Sequence, residues 1–289
     1  MNNYVIYQAY GKEEILYEAI YSILHLLNIH KFNLTFKIII VTDNVAYFEN
    51  FLEPSDLYIY EAIAPEKIKL WRGAIDFVHR VKIEVLQFVT SKYSGNFLYA
   101  DTDIFFLQPI NELFDKITNG IPIMCFKEWS IQDGPNVLYK RLNKFIKSDK
   151  NTSAIKPSTI MYNAGILGFN SSFTPQLENV KKLTDSLHPL HPIFIIEQLA
   201  FSYYLQKQGG VYETEKTYTF HYWNFKEFRE ALASIFEYHK EPKKVIEQML
   251  KLNVQEMREP KRIYEALPSW QRKWMRLVNK KWQMPAFEK

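Results

Sequence analysis

Residues 97–106 read FLYADTDIFF, an apolar run interrupted by two aspartates one residue apart. Such a run is typical of a buried strand, where an aspartate is costly to bury without a partner. Side chains alternate along an extended segment, so Asp101 and Asp103 are predicted to project to the same side. Because ligands bind at the carboxyl ends of strands in open α/β sheets, this carboxylate pair predicts a Mg²⁺ or Mn²⁺ site. The alternative is a turn in which both aspartates cap backbone N–H groups.

The residues before this stretch alternate between strand and helix patterns. Strands are predicted at residues 4–10, 36–41 and near 57–60, and helices at 13–30 and 74–88. Strands that alternate with helices pair in parallel and carry the helices on both faces of the sheet. The predicted fold class is therefore α/β, with a Rossmann-like, mostly parallel sheet and flanking helices.

The pattern after Asp103 is looser but still contains regular elements. Strand-like segments occur at 121–126, 160–169 and 211–223, and helical patterns near 137–147 and at 193–206. The sequence shows no internal repeat and no low-complexity linker. One domain is predicted at residues 1–257, followed by a basic, Trp-rich extension at 258–289.

Composition excludes several classes of protein. The chain is 47% hydrophobic, which is enough for a large core and argues against disorder. Its single cysteine, Cys125, excludes an internal disulfide and a site built from several thiolates. The net charge is +4, and residues 258–289 contain nine Lys or Arg against three Glu. The rest of the chain is close to neutral, so no nucleic-acid surface is expected.

The two ends of the sequence bear on location. The start lacks the basic and apolar regions of a signal peptide, and no apolar run approaches the roughly 20 residues that span a bilayer, so a cytoplasmic protein is predicted. In the extension, Trp274, Leu277, Val278 and Trp282 share one side of a helical wheel, opposite Arg272 and other cations. This pattern fits peripheral contact with an anionic membrane on its inner face. The alternative is a helix packed on its own domain or on a second subunit.

Five segments resemble, in order along the chain, the motifs of the family 8 glycosyltransferases. HRVK at 79–82 is similar to the family's R-x-K motif, and YADTD at 99–103 to its L-D-x-D motif. MYNAGILGFN at 161–170 resembles its F-N-[SA]-G block, and the pairs at 197–198 and 221–222 resemble its D-Q and H-[YF] pairs. The resemblance covers about three quarters of the chain. It implies a GT-A fold and retaining transfer of a sugar from a nucleotide donor.

A metal site follows from the residues as well as from the resemblance. Asp101, Asp103 and His221 are the candidate ligands, and the imidazole favours Mn²⁺ over Mg²⁺. The ion would neutralise the charge that develops on a leaving diphosphate.

The remaining site residues follow from the resemblance and from their chemistry. Glu197 or Gln198 is the candidate catalytic group near the anomeric carbon, and the sequence leaves the choice open. Lys82 is assigned to the surface. The candidates for donor binding are Ala9, Tyr10, Gly11, Arg80, Asp101, Asn163, Ala164, Gly165 and Lys226.

The predicted function is transfer of a hexose from a UDP-linked sugar to a hydroxyl of a glycan or a lipid-linked precursor. The first loop lacks the acidic or Asn residue usual in the family, which leaves the nucleotide open, and the oligomeric state is also open. One alternative is a nucleotidyltransferase, although residues 7–12 make a poor phosphate-binding loop. Another is a non-catalytic glycan-binding or scaffold protein with the same fold.

Overall fold

A computed structural model describes residues 1–148, 152, 154–278 and 280–287. Within these residues, the central sheet has seven strands in the order β10-β6-β9-β4-β1-β2-β3. Strands β3, β2, β1 and β4 run parallel, and β9 is antiparallel to its neighbours β4 and β6. The seven strands are β1 (Asn3–Ala9), β2 (Lys37–Thr42), β3 (Tyr58–Ala62), β4 (Asn96–Ala100), β6 (Ile123–Met124), β9 (Ile166–Asn170) and β10 (Tyr212–Glu213).

Two small antiparallel sheets stand beside the central one. Strand β5 (Ile104–Phe106) pairs with β11 (Thr219–His221), and β7 (Lys127–Ser130) pairs with β8 (Ile160–Tyr162). The predicted α/β class with a mostly parallel sheet is confirmed.

Strand β1 shows why the sheet is covered on both sides. Val5 and Tyr7 point into one hydrophobic core, whereas Tyr4 and Ile6 point into the other. A strand buried on both faces reads as a continuous apolar run instead of an alternating one. This explains the unbroken apolar sequences of the first strands.

Helices cover the two faces unequally. The first core contains α1 (Glu13–Ile29), α5 (Asn111–Thr118), α9 (Glu227–Tyr238) and α10 (Pro242–Lys251), and the second contains α4 (Arg80–Lys92) and α7 (Thr174–Leu187). A third, smaller core joins α6 (Val137–Ser148) to α8 (Ile196–Gln206). The remaining short helices are α2 (Val45–Glu49) and α3 (Pro65–Trp71).

Helix α4 begins later than the predicted residue 74. Gly73 has φ +68° and Asp76 has φ +48°, both in the left-handed region that an α-helix does not use. The chain therefore turns between Trp71 and Arg80, and His79 is the residue that precedes the first helical turn. The helix that precedes the aspartate stretch is present, but it is shorter at its start than the periodicity indicated.

The two aspartates lie in a turn between β4 and β5, not in an extended strand as predicted. The amide of Ile104 donates a hydrogen bond to the carbonyl of Asp101 (3.2 Å), which closes the turn. Their common position at the carboxyl end of β4 is nevertheless as expected.

The carboxyl-terminal region contains two further helices, α11 (Val254–Ala266) and α12 (Ser269–Leu277). Helix α11 runs across the domain boundary predicted at residue 257, and Arg258 and Tyr264 beyond that boundary are buried. Buried residues of α11 therefore continue beyond residue 257. Helix α12, by contrast, has no buried residue over its described length.

The helices of the described residues are too short or too polar to cross a lipid bilayer. None of them combines the length and the apolar character that a membrane-spanning segment needs.

Candidate metal and donor site

A cavity of about 770 Å³ opens at the carboxyl end of β4. Its volume is within the range of small-molecule sites. The predicted site residues that line it are Asp101, Asp103, Asn163, Ala164, Gly165, Glu197, Gln198, His221 and Lys226.

Strand pairing brings the three candidate metal ligands together. Asp101 and Asp103 flank the turn that leads from β4 into β5, and antiparallel pairing of β11 with β5 places His221 opposite Ile104. The amide of Tyr222 also donates to the carbonyl of Asp103 (3.1 Å). As a result, one ligand atom each from Asp101, Asp103 and His221 lies within 4.8 Å of the others.

Two hydrogen-bond partners fix the ring of His221. Its Nδ1 lies 2.9 Å from Oδ1 of Asn163, and its Nε2 lies 3.0 Å from Oδ1 of Asp103. Because Asn163 Oδ1 already accepts the amide hydrogen of Gly165 (2.9 Å), it is an oxygen, and Nδ1 of His221 is the donor. A proton on Nε2 then bonds to Asp103, and a cation bound between Nε2 and the carboxylate would take the place of that proton.

Asp103 and His221 shift each other's pKa. Burial alone raises the pKa of the Asp103 carboxyl, but the charge and hydrogen bond of His221 outweigh it and hold that pKa below its ordinary value. Burial likewise lowers the pKa of His221, and Asp103 reverses the effect, so the imidazole pKa is raised. The pair thus favours an arrangement in which positive charge faces the carboxylate.

The donor set fits a hard or borderline divalent cation. Two carboxylates and one imidazole suit Mn²⁺ better than an all-oxygen site would. Asp101 is oriented by the Tyr99 hydroxyl, which donates to its Oδ1 (2.7 Å). Asp101, Asp103 and His221 would therefore hold the ion, with Asn163 orienting the imidazole.

Gly165 is required by the position of His221. A Cβ atom at residue 165 would lie 2.5 Å from Cε1 and 2.7 Å from Nδ1 of the imidazole. Neither distance occurs between real side chains, so any larger residue would displace the ring. The glycine of the 161–170 block therefore makes room for His221.

Lys82 lies inside the site, so its assignment to the surface was wrong. Its side chain is buried, and its Nζ lies 3.2 Å from Oδ1 of Asp101, 3.5 Å from Oε1 of Glu197 and 2.9 Å from the carbonyl oxygen of Ala164. Burial lowers the pKa of Lys82, but Asp101 and Glu197 outweigh it and the pKa is raised.

The sequence contained a signal for this burial. Lys82 shares a helical face with three apolar residues at i+3, i+4 and i+7. These residues are Val85, Leu86 and Val89, all buried.

Glu197 and Gln198 begin α8 and both reach the cavity. Burial raises the pKa of Glu197 to about 7; Lys82 opposes this rise and Asp101 adds to it. Among the described residues, neither Oε1 of Glu197 nor Nε2 of Gln198 has a hydrogen-bond partner and both are buried, but Nζ of Lys82 lies 3.5 Å from Oε1 of Glu197. A buried polar group without a hydrogen-bond partner is costly.

The other residues that were predicted to bind the sugar donor do not line the cavity. The Arg80 guanidinium donates to Asp185 Oδ1 (2.6 Å), to Glu84 Oε1 (2.7 Å) and to the Trp71 carbonyl (2.7 Å). The Asp185 contact joins α4 to α7 and the Trp71 contact joins α4 to α3, and Arg80 does not line the cavity.

The first loop lies beside the site and does not line it. Ala9 is buried in β1, and the amide of Gly11 donates to Asp43 Oδ2 (3.0 Å). Tyr10 is close enough to Lys82 and Asp101 for their charges to affect its pKa, which burial raises to about 12.

An ion pair between Arg229 and the buried Glu18 lies next to the aspartate turn. Arg229 Nε donates to Oε1 of Glu18 (2.8 Å), and the Thr102 hydroxyl donates to Glu18 Oε2 (3.4 Å). Ser22, one helical turn after Glu18 on α1, donates to the Ile104 carbonyl (2.6 Å). Helix α1 therefore fixes the aspartate turn from the side opposite the cavity.

This chain is similar in structure to several solved glycosyltransferases. It is similar to mouse xyloside xylosyltransferase 1 (TM-score 0.50, 11% identity, 80% of this chain and 93% of that chain). It is also similar to the bifunctional glycosyltransferase WbbM (TM-score 0.50, 12% identity, 73% of this chain and 38% of that chain). The galactosyltransferase LgtC, in complex with donor and acceptor sugar analogues, aligns with a TM-score of 0.47 at 9% identity over 70% of each chain.

No protein-family model matches the sequence, and no curated protein matches it. At identities near 10%, a structural likeness establishes the fold alone. The chain has the GT-A fold of these glycosyltransferases.

Proposed function

We propose that this chain is a metal-dependent glycosyltransferase of the family 8 type. It moves a hexose from a UDP-linked sugar to an acceptor hydroxyl and retains the anomeric configuration. The observation that carries this proposal is the convergence of Asp101, Asp103 and His221 at one cavity of the GT-A fold.

The metal ligands account for departure of the leaving group. A bound Mn²⁺ or Mg²⁺ supplies Lewis-acid neutralisation of the diphosphate charge. Lys226 lines the same cavity and adds a cationic side chain for the diphosphate. Asn163 and Gly165 place backbone and amide groups beside the donor sugar.

In the transfer step, the bond between the anomeric carbon and the diphosphate oxygen breaks. A bond forms between that carbon and the acceptor oxygen, and the hydroxyl proton leaves with the diphosphate. We assign the contact at the anomeric carbon to the side-chain oxygen of Gln198, because Gln198 lines the cavity and the neighbouring Glu197 carboxylate faces Lys82. Glu197 instead holds Lys82 beside Asp101.

The acceptor is a glycan or a lipid-linked glycan precursor. The exposed Trp residues and cations of α12 support a peripheral position on an anionic membrane, with the protein in the cytoplasm. Such a location gives the cavity access to a membrane-borne substrate.

Titration calorimetry with UDP and Mn²⁺ tests the proposal. The wild type should bind UDP in the presence of Mn²⁺, and Asp103→Ala should weaken this binding by more than about tenfold because it removes a ligand. Asp115→Ala, which removes an exposed carboxylate on α5, is the matched control and should leave the affinity unchanged. Equal affinities in the wild type and Asp103→Ala would refute the metal assignment.

The products separate the rival functions. A nucleotidyltransferase would release pyrophosphate from a nucleoside triphosphate, whereas the proposed enzyme releases UDP from a UDP-sugar. A non-catalytic glycan-binding or scaffold protein would release neither product.

A further inference from the structure

Three large aromatic side chains stand exposed at the cavity. Trp129 is 51% exposed, Phe194 is 60% exposed and Trp223 is 54% exposed, and all three line the cavity that holds the candidate metal ligands. They come from β7, from the segment before α8 and from the residues after β11. Exposed apolar surface that borders a polar cavity marks a binding site. We call these three residues the aromatic wall.

Strand order shows on which side of the metal ligands the wall lies. Strand β4, which leads to Asp101, has β1 on one side and β9 on the other. Tyr10 and the first loop follow β1. Strand β8 leads into β9, and its partner β7 carries Trp129. The β7 part of the wall is therefore on the far side of Asp101 from the first loop.

The segment next to Trp129 is held by several contacts of Tyr139. The Tyr139 hydroxyl donates to Glu128, its backbone amide donates to Asn136 Oδ1 (3.0 Å), and its ring packs in the third core. Gly134 lies so close that an added Cβ would be 2.0 Å from Cγ of Tyr139. These contacts hold the segment next to Trp129 in place before a ligand binds, which lowers the cost of binding at that part of the wall.

Polar groups stand beside the aromatic rings. Lys127, Glu128 and Asn136 line the same part of the cavity. A lipid chain would leave these groups unpaired on binding, at a cost. A sugar ring matches both features, because it has an apolar face of C–H groups and hydroxyls around its edge.

We propose that the aromatic wall is the acceptor subsite, and that the acceptor is a carbohydrate whose ring stacks on Trp129 or Trp223. This inference rests on the proposed function, in which the first loop lies beside the nucleoside and the far side of the cavity is left for the acceptor. It deepens that function, because it states that the protein contacts a sugar unit of the acceptor. This holds whether that sugar belongs to a glycan or is attached to a lipid.

The test uses the full chain, with UDP and Mn²⁺ present, on an immobilised panel of mono-, di- and oligosaccharides. The wild type should capture at least one glycan. At least one of Trp129→Ala and Trp223→Ala should weaken that capture by about tenfold or more, because a contacting Trp is a dominant source of binding energy. Trp274→Ala is the matched control, since Trp274 is 57% exposed on α12 and does not line the cavity.

A parallel titration with UDP and Mn²⁺ separates this proposal from the metal site. Affinity for UDP should stay within about twofold in all three Trp variants, because aromatic stacking on an acceptor leaves the nucleotide contacts intact. A loss of UDP affinity in Trp129→Ala would mean that the wall stacks on the nucleobase, and would overturn the proposal. So would the failure of every glycan to bind, or unchanged capture by both wall variants. If glycan capture depends on the wall but UDP does not bind, the proposed function is refuted. The wall would then remain a glycan-binding site.

Discussion

At the residue scale, Gly165 determines where the His221 ring can lie. We predict that Gly165→Ala lowers Mn²⁺-dependent UDP affinity by about ten- to a hundredfold, because the new methyl group displaces a metal ligand. Calorimetry measures the effect. Gly210→Ala is the control, since a Cβ there meets nothing within 4 Å. Equal affinities in the two variants would show that His221 is not a ligand.

Gln198 and Glu197 are expected to respond differently to substitution. Gln198→Ala should lower kcat with little change in the donor KM, because a contact at the anomeric carbon gains strength in the transition state. Glu197→Ala should also weaken donor binding, because it leaves the buried Lys82 with Asp101 as its remaining carboxylate partner. Steady-state kinetics distinguish the two. Near-normal kcat in Gln198→Ala would remove it from the catalytic step.

Arg80 and Lys82 show the limit of motif reasoning at single residues. Both belong to the R-x-K motif, and the sequence favoured Arg80 for the site and Lys82 for the surface. In the structure Arg80 pairs with Asp185, a residue 105 positions away, and Lys82 reaches the cavity. Partners at such separations are set by how α4 packs on α7, which local sequence does not specify.

At the element scale, His25 couples helix α1 to α10. Its Nε2 hydrogen-bonds the Met249 carbonyl (3.0 Å), and burial lowers its pKa to about 4. Between pH 4 and its ordinary pKa near 6.5, the unfolded state binds the proton and the folded state does not, so stability is lost as pH falls. One such proton contributes a slope of up to about 1.4 kcal/mol per pH unit.

We predict that His25→Gln, which keeps a donor for the carbonyl, flattens this slope. Urea unfolding at pH 5, 6 and 7 measures it for the wild type and the variant. The same slope in both proteins would mean that folding does not lower the pKa of His25.

The sequence predicted the positions of individual strands and helices, but it did not predict which distant strands pair. Apolar runs and helical spacing located β1, β2, β4 and α1 because those signals are local. The pairing of β5 with β11 joins residues more than a hundred positions apart, and no local signal indicates that His221 faces Ile104. The resemblance to a known family supplied His221 as a candidate, and the sheet explains how it reaches the aspartates.

At the scale of the whole molecule, the carboxyl-terminal region has two parts. Trp282 packs near Phe225, with 6.1 Å between ring centroids, so it is not available to the membrane-facing stripe predicted from the helical wheel. Trp270, Trp274 and Leu277 of α12 remain 67%, 57% and 83% exposed. The exposed stripe is therefore formed by α12 and the residue after it, Val278.

We predict that the chain sediments with vesicles containing phosphatidylglycerol and does so less as salt rises. Each basic residue near an anionic surface contributes about 1 kcal/mol, and salt screens it. Replacing Trp270 and Trp274 by Ser should reduce co-sedimentation and leave the melting temperature unchanged, because neither side chain is buried. Vesicles of phosphatidylcholine alone are the control. Equal binding to both lipids, or to neither, would count against membrane attachment.

The central claim is that Asp101, Asp103 and His221 hold an ion that promotes cleavage of a nucleotide sugar with retention. The most direct measurement incubates the full chain with UDP-hexoses and Mn²⁺ and follows UDP release and the anomeric configuration of the sugar product by NMR. We expect Mn²⁺-dependent release of UDP, a product with the donor's configuration, and loss of release by at least about a hundredfold in Asp103→Asn. UDP release that Asp103→Asn leaves intact, or a product of inverted configuration, would contradict the account.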